Sequence, residues 1–164
     1  PWIKPGTAGL MHRIGGIEKQ EGTGNVNYEP ENHELMTHIR ADKVAGIARD
    51  IPPTEIVGDA ADADLLMVSW GSTWASVDSA IERRRRDGRK LACLPLTHLN
   101  PLPSDVGEIL RRYPKVLVPE LNSGQLARIL RANFLVDAQS ATKIKGLPFT
   151  ARELEEAIEK ELSR

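Results

Sequence analysis

Cysteine is almost absent. Cys93 stands alone in 164 residues, which excludes an internal disulfide and any cysteine-built metal site or iron–sulfur cluster within the chain. A single thiol also suits a reducing compartment, and the expected location is the cytoplasm. Aromatic residues make up only 4%. Charge of one sign is missing as well: 22 lysines and arginines stand against 23 aspartates and glutamates, a net charge of −1. With few aromatics and no basic excess, neither nucleic acid nor an acidic membrane surface is an expected partner. No run approaches the ~20 apolar residues of a membrane span. The first residue is Pro1, with no initiator methionine before it and no signal peptide after it, so the chain is expected to be a domain of a longer polypeptide.

What is present is an ordinary globular composition, 40% apolar and 27% charged, in a length that buries one sizeable core. Residues 1–30 are glycine-rich and weakly periodic, with Pro5-Gly6, Gly15-Gly16 and Gly22-Thr23-Gly24. So long a leader before the first clear element is unusual in a free-standing domain. The expected division is therefore a leader over 1–30, covered by an upstream domain or a partner, and an α/β domain over 31–164.

Leu35, Met36, Ile39, Val44 and Ile47 recur at helical spacing, with Asn32 available as N-cap and Pro52-Pro53 as terminator. A nearly unbroken apolar run at 64–70 predicts a strand covered on both faces. Gly71-Ser72-Thr73 turns into a helix whose buried stripe is Trp74, Val77, Ala80 and Ile81, closing at Gly88. Residues 90–96 form the next strand, where Pro95 implies an edge position or the end of pairing. A short helix over 104–112, a strand over 115–120, a helix over 125–133 and a weaker strand over 138–144 follow. Thr150 and Glu153 read as a capping box for a last helix through Leu154, Ile158 and Leu162. Alternating strands and helices specify a three-layer α/β/α sandwich with a mostly parallel sheet.

Ligands of such sheets gather beyond the carboxyl ends of the strands. Three loops are expected there: Gly71-Ser72-Thr73, then the loop carrying His98 and Asn100, then Glu120 to Gln125 with Asn122 and Gly124. Two feed helix N-termini, where free amides favour anions. Each residue also has a plainer role. Ser72 and Thr73 fit helix caps, His98 fits a packed or capping histidine, and Asn122 fits the N-cap of the following helix. Glu120 reads either as a buried acid bonded to loop amides or as a side chain reaching a partner. Arg83 to Arg86 read as a solvated helix tail complementing the dipole. His33 and His38, about 140° apart on a helix, make poor metal partners, and no catalytic or metal constellation is complete.

The string Val68-Ser69-Trp70-Gly71-Ser72-Thr73 resembles the transketolase C-terminal-like domain of 2-oxoacid:ferredoxin oxidoreductases. The run His98-Leu99-Asn100-Pro101-Leu102-Pro103, then Val118-Pro119-Glu120-Leu121-Asn122-Ser123-Gly124-Gln125-Leu126, carries the resemblance further. Lys143-Ile144-Lys145-Gly146-Leu147-Pro148-Phe149 resembles the end of the alpha subunits of the 2-oxoglutarate enzymes. The leader agrees in Gly9-Leu10-Met11-His12-Arg13 and Gly15-Gly16-Ile17-Glu18. Trp74-Ala75 departs from relatives that place smaller residues after the turn. The resemblance implies a complex that oxidatively decarboxylates a 2-oxoacid to an acyl-CoA and reduces ferredoxin, using thiamine diphosphate, Mg2+, an iron–sulfur cluster and coenzyme A. It implies an upstream pyrimidine-binding domain and a beta subunit as partners, with none of the cofactors bound by this chain and none of its residues catalytic. A pyruvate-type enzyme, a free-standing anion- or nucleotide-binding module, and a purely structural docking domain stay open as alternatives.

Overall fold

The computed structural model describes residues 3–12 and 14–164; Pro1, Trp2 and Arg13 of the leader motif lie outside them. The chain divides into two units, one ending at Ile47 and one beginning at Ala48. The first helix thus groups with the glycine-rich segment, and the boundary drawn at residue 30 from glycine content is displaced by the length of that helix.

In the first unit, α1 spans Pro30–Gly46. Its N-cap is Glu29, not Asn32, because Pro30 takes the first helical position with its fixed φ and missing N–H. Asn32 is buried instead and ties α1 to the preceding loop. Its Nδ2 donates to the Lys19 carbonyl at 3.1 Å, and its Oδ1 accepts from the Glu21 amide at 3.3 Å. Beside it Glu18, only 8% exposed, meets His33 Nδ1 at 2.5 Å and accepts from Arg40 Nη1 at 2.9 Å. Burial is inverted in this unit. Polar Glu18 and Asn32 are covered, while Leu35, Ile39 and Val44, the apolar stripe of α1, and Ile47 just past its end lie at the surface.

The second unit holds a five-stranded sheet in the order β1-β3-β2-β4-β5. Strands β2 (Leu65–Trp70), β3 (Leu91–Leu96), β4 (Val116–Glu120) and β5 (Ala138–Thr142) run parallel. The two-residue β1 (Val57–Gly58) pairs antiparallel with β3. Crossovers run through α2 (Trp74–Arg86), α3 (Val106–Arg111) and α4 (Gln125–Phe134), and α5 (Ala151–Leu162) ends the unit. One core packs Val106, Ile109, Leu110, Leu126 and Leu130 of α3 and α4 on Leu66, Val68, Leu94 and Val118. The other packs Val77, Ile81, Leu154 and Ile158 of α2 and α5 on Leu65, Met67, Leu91 and Leu117. Successive residues of β2 therefore feed opposite faces, as a strand covered on both sides must. The expected three-layer α/β/α sandwich is the fold.

Two prolines sit inside this sheet, each where one flank is bare. The β1 pairing reaches only Ala92 and Cys93, so Pro95 lies beyond it. Pairing of β2 with β4 is limited to Leu66 with Val116 and Met67 with Leu117, so Pro119 lies beyond that ladder. A residue without an N–H costs a sheet nothing at such places.

Local signals behave as their chemistry requires. After α2, Gly88 has φ +85°; its amide donates to Arg85 O at 2.9 Å and that of Arg89 to Arg84 O at 3.0 Å, a Schellman closure. The arginine run preceding it is not simply solvated. Arg85 grips Asp59 with bonds of 2.8 and 2.9 Å, and Arg84 reaches Glu155 and Glu159 of α5 at 3.6 and 3.8 Å.

The Thr150–Glu153 capping box is formed. Lys143 Nζ, 2.7 Å away, and next the Thr150 amide hold the Glu153 carboxyl down at about 2. A depressed carboxylate contributes stability above its ordinary value of 4.5, and that contribution fades as pH falls from 4.5 through about 2. Melting curves of Glu153→Gln should thus lie below wild type at neutral pH and converge on it across that acid window.

Candidate functional site

The α2 crossover covers one face of the sheet and the α4 crossover the other, so the strand order reverses between β2 and β4. That is the switch point at which open α/β sheets leave a crevice. The three polar loops all leave carboxyl ends of adjacent strands β3, β2 and β4.

The third loop is the most ordered. Glu120 is 1% exposed, and its carboxylate turns back into the start of α4. Oε1 accepts from the Leu126 amide at 2.8 Å and from Asn122 Nδ2 at 3.2 Å, while Oε2 accepts from the Ala127 amide at 3.1 Å. Asn122 Oδ1 accepts from the amides of Gly124 and Gln125 at 2.8 and 2.9 Å. Every amide from Gly124 to Ala127 is thus bonded within the chain. An internal carboxylate occupies the place an incoming anion would take, held by the same dipole and donors. The expectation of free amides at this terminus is corrected: they are spent. Of the two roles open to Glu120, the buried acid bonded to loop amides is the one seen, and Asn122 acts as a cap from two residues ahead of the formal N-cap, Gly124.

Capping by Asn122 sets a clear expectation. Asn122→Ala should lose about 0.5–2 kcal/mol with its two amide bonds, and Asn122→Asp should not recover wild-type stability, because it keeps the cap but sets a second carboxylate against Glu120 Oε1, where the Asn122 amide now donates at 3.2 Å. Urea titrations of the two variants read the difference.

The other two loops differ from expectation. Gly71-Ser72-Thr73 forms a single 3-10 turn, Gly71–Thr73, leading into α2, and no side-chain cap bond is made at either start. Ser72 and Thr73 therefore do not cap; Ser72 is exposed and Thr73 is buried. His98 is neither packed nor capping. It is exposed, with Nδ1 2.9 Å from its neighbour Thr97 Oγ1. Asn100 is exposed before a cis bond to Pro101, and Gln125 is exposed on α4.

Trp74, expected in the core, is half-buried. One side packs on the α2–α5 core and the other lines a cavity of about 660 Å3 beyond β2 and β3. This cavity joins the first two loops through Gly71, Thr97 and Leu99, and none of the polar residues picked from the third loop borders it. Sequence reading missed both its indoles, since nothing beside Trp70 or Trp74 in the sequence marks a cavity.

Cys93 is wholly buried, and burial pushes its thiol up to about 12, so it is no nucleophile at neutral pH. Among the described residues no group of three or more His, Cys, Asp or Glu is placed to hold a metal ion, and no helix is long and apolar enough to cross a membrane.

No family model matches the chain. It is 51% identical over 150 residues, 92% of its length, to the 2-oxoglutarate oxidoreductase subunit KorA of Mycobacterium tuberculosis, of which it covers 23%. It is 32% identical over 98% of its length to the alpha subunit of 2-oxoacid:ferredoxin oxidoreductase 2 of Aeropyrum pernix, covering 25% of that protein. Among solved structures, 2-oxoglutarate:ferredoxin oxidoreductase from Magnetococcus marinus, with 2-oxoglutarate, coenzyme A and succinyl-CoA bound, superimposes with a TM-score of 0.87. That match has 34% identity and covers 99% of this chain and 28% of the other. A split-gene transketolase shares the fold at a TM-score of 0.54 and 17% identity, over 68% of this chain and 41% of its own. The chain thus spans about a quarter of the length of these two curated relatives. By sequence and by fold it is a homologue of the alpha subunits of 2-oxoglutarate and 2-oxoacid:ferredoxin oxidoreductases, and it belongs with them.

Proposed function

We propose that the chain is the C-terminal, transketolase C-like part of the alpha subunit of a 2-oxoglutarate:ferredoxin oxidoreductase. The complex decarboxylates 2-oxoglutarate, passes the succinyl group to coenzyme A and the electrons to ferredoxin, and works in the cytoplasm. The observation that carries this reading is the match across 99% of the chain to an enzyme holding 2-oxoglutarate, coenzyme A and succinyl-CoA.

Within that complex the chain is a framework for the site rather than its chemical centre. Thiamine diphosphate with Mg2+ requires a cation-binding cluster and donors for a diphosphate. The described residues form no such cluster, and the amides opening α4 are filled by Glu120 and Asn122. The residues present do not fit that cofactor, which belongs to the upstream domain and the beta subunit. The exposed stripe of α1 and the apolar leader residues Met11, Ile14 and Ile17 are the surface offered to those partners.

Assay of the complete alpha–beta complex tests the proposal. Coenzyme A-dependent reduction of a viologen dye should be fastest with 2-oxoglutarate and slow with pyruvate, and this chain alone should be silent. A preference for pyruvate would overturn the substrate, and activity of the chain alone would overturn the framework role. Limited proteolysis should cut within residues 3–30 of the isolated chain and spare them in the complex.

A further inference from the structure

The cavity beyond β2 and β3 has the build of a small-molecule site. Its volume of about 660 Å3 is several times that of any single side chain and lies within the range of ligand pockets. Two of the chain's three tryptophans line it. They approach from opposite faces of the sheet: Trp70 packs on the α3–α4 core and Trp74 on the α2–α5 core. The turn between them opens at Gly71, whose φ is +58° and beside which a Cβ would meet nothing within 4 Å, so the mouth stays clear. Leu96 and Leu99 complete the walls, and Thr97 stands at the rim.

The floor is sealed. Ser69 backs the cavity at 0% exposure with its hydroxyl turned to Cys93 Sγ at 3.6 Å, and the polar side chain an occupant meets is the exposed Thr97 at the rim. None of the described residues lining the cavity is charged. An anion finds no counter-charge here, and the amides that would attract one at α4 are already bonded to Glu120 and Asn122.

We propose that this cavity binds a neutral, planar aromatic ring, packed against the indoles of Trp70 and Trp74. Indole faces favour offset or edge-on contact with another ring. An aliphatic side chain of a partner protein would leave most of the volume unused. The site is independent of the activity proposed above, since its chemistry is set by residues of this chain alone.

Adenosine and indole serve as ring probes, with pyrophosphate and 2-oxoglutarate as anionic controls, titrated into this chain while the indole N–H resonances are followed. Adenosine and indole should shift the Trp70 and Trp74 signals saturably with submillimolar dissociation constants, and the anions should leave them unmoved. Thr97→Trp, which blocks the rim from an exposed position, should weaken both rings at least about tenfold. Leu99→Ala, which removes apolar wall, should weaken both rings severalfold. Should either variant unfold, the other carries the test, and melting curves identify which. The proposal is overturned by absence of saturable ring binding, by binding that Thr97→Trp leaves unchanged, or by anions binding as tightly as rings. It is equally overturned if acrylamide fails to quench these tryptophans in the complete complex and neither ring alters that, since a polypeptide would then fill the cavity.

Discussion

Glu120→Ala should destabilise the chain by about 3–5 kcal/mol, because it leaves the buried amides of Leu126 and Ala127 without their carboxylate acceptor. Glu120→Gln should lose less, about 1–3 kcal/mol, since one oxygen still serves an amide while the new NH2 faces a donor. Urea unfolding monitored by circular dichroism measures both. The deletion also exposes a carboxylate-shaped vacancy at a helix N-terminus. Formate or acetate should therefore raise the unfolding midpoint of Glu120→Ala and leave wild type unmoved, by binding to the folded state alone. An alanine variant within ~1 kcal/mol of wild type would mean that the carboxylate is not what satisfies these amides.

Gly58→Ala should cost about 2–4 kcal/mol, for two reasons acting together. The residue has φ +97°, and a Cβ there would lie 2.5 Å from the Leu91 carbonyl oxygen. That oxygen is backbone, so no rotamer change relieves the clash and β1 must part from β3. The neighbouring Asp59, which accepts from the Leu91 amide at 3.1 Å and from Arg85, would move with it. Gly71→Ala makes a sharp comparison. Its φ is also positive but its surroundings are empty, so only the conformational term remains, about 1 kcal/mol. Thermal melts of the two variants should separate clearly, with Gly58→Ala the lower.

Much of the second unit could be read before the structure, because the governing interactions are local or periodic. The apolar runs of β2, β3 and β4 announce burial on both faces. Thr150 with Glu153 and Gly88 after the arginines announce helix ends through neighbours three to five residues away. The roles that escaped depend on distant partners. Val57–Gly58 is too short to show a period and becomes a strand only because β3 offers it an edge. Arg84 and Arg85 read as a solvated tail until Asp59 and α5, far along the chain, are folded against them. Glu120 was undecided because its partners lie on the next helix, and the cavity was invisible because Ser69, Trp74 and Leu99 meet only in three dimensions. In the first unit the stripe of α1 is periodic yet uncovered, and periodicity alone does not reveal whether a partner exists.

Pro95 and Pro119 carry a consequence for motion. Both stand toward the carboxyl ends of their strands, where β3 has outrun β1 and is flanked by β2 alone, and β4 has outrun its ladder with β2 and is flanked by β5 alone. The sheet is laced tightly at its amino end, where the Leu66 amide also bonds Lys115 O at 2.9 Å, and loosely at the mouth. Hydrogen–deuterium exchange should accordingly be graded along each strand, slowest near Leu66, Ala92 and Leu117 and faster beyond residues 69 and 118. Fraying then begins beside the tryptophan cavity, and anything bound there clasps the weakest end of the sheet, so that occupancy is reported by slowed exchange along β2 and β3.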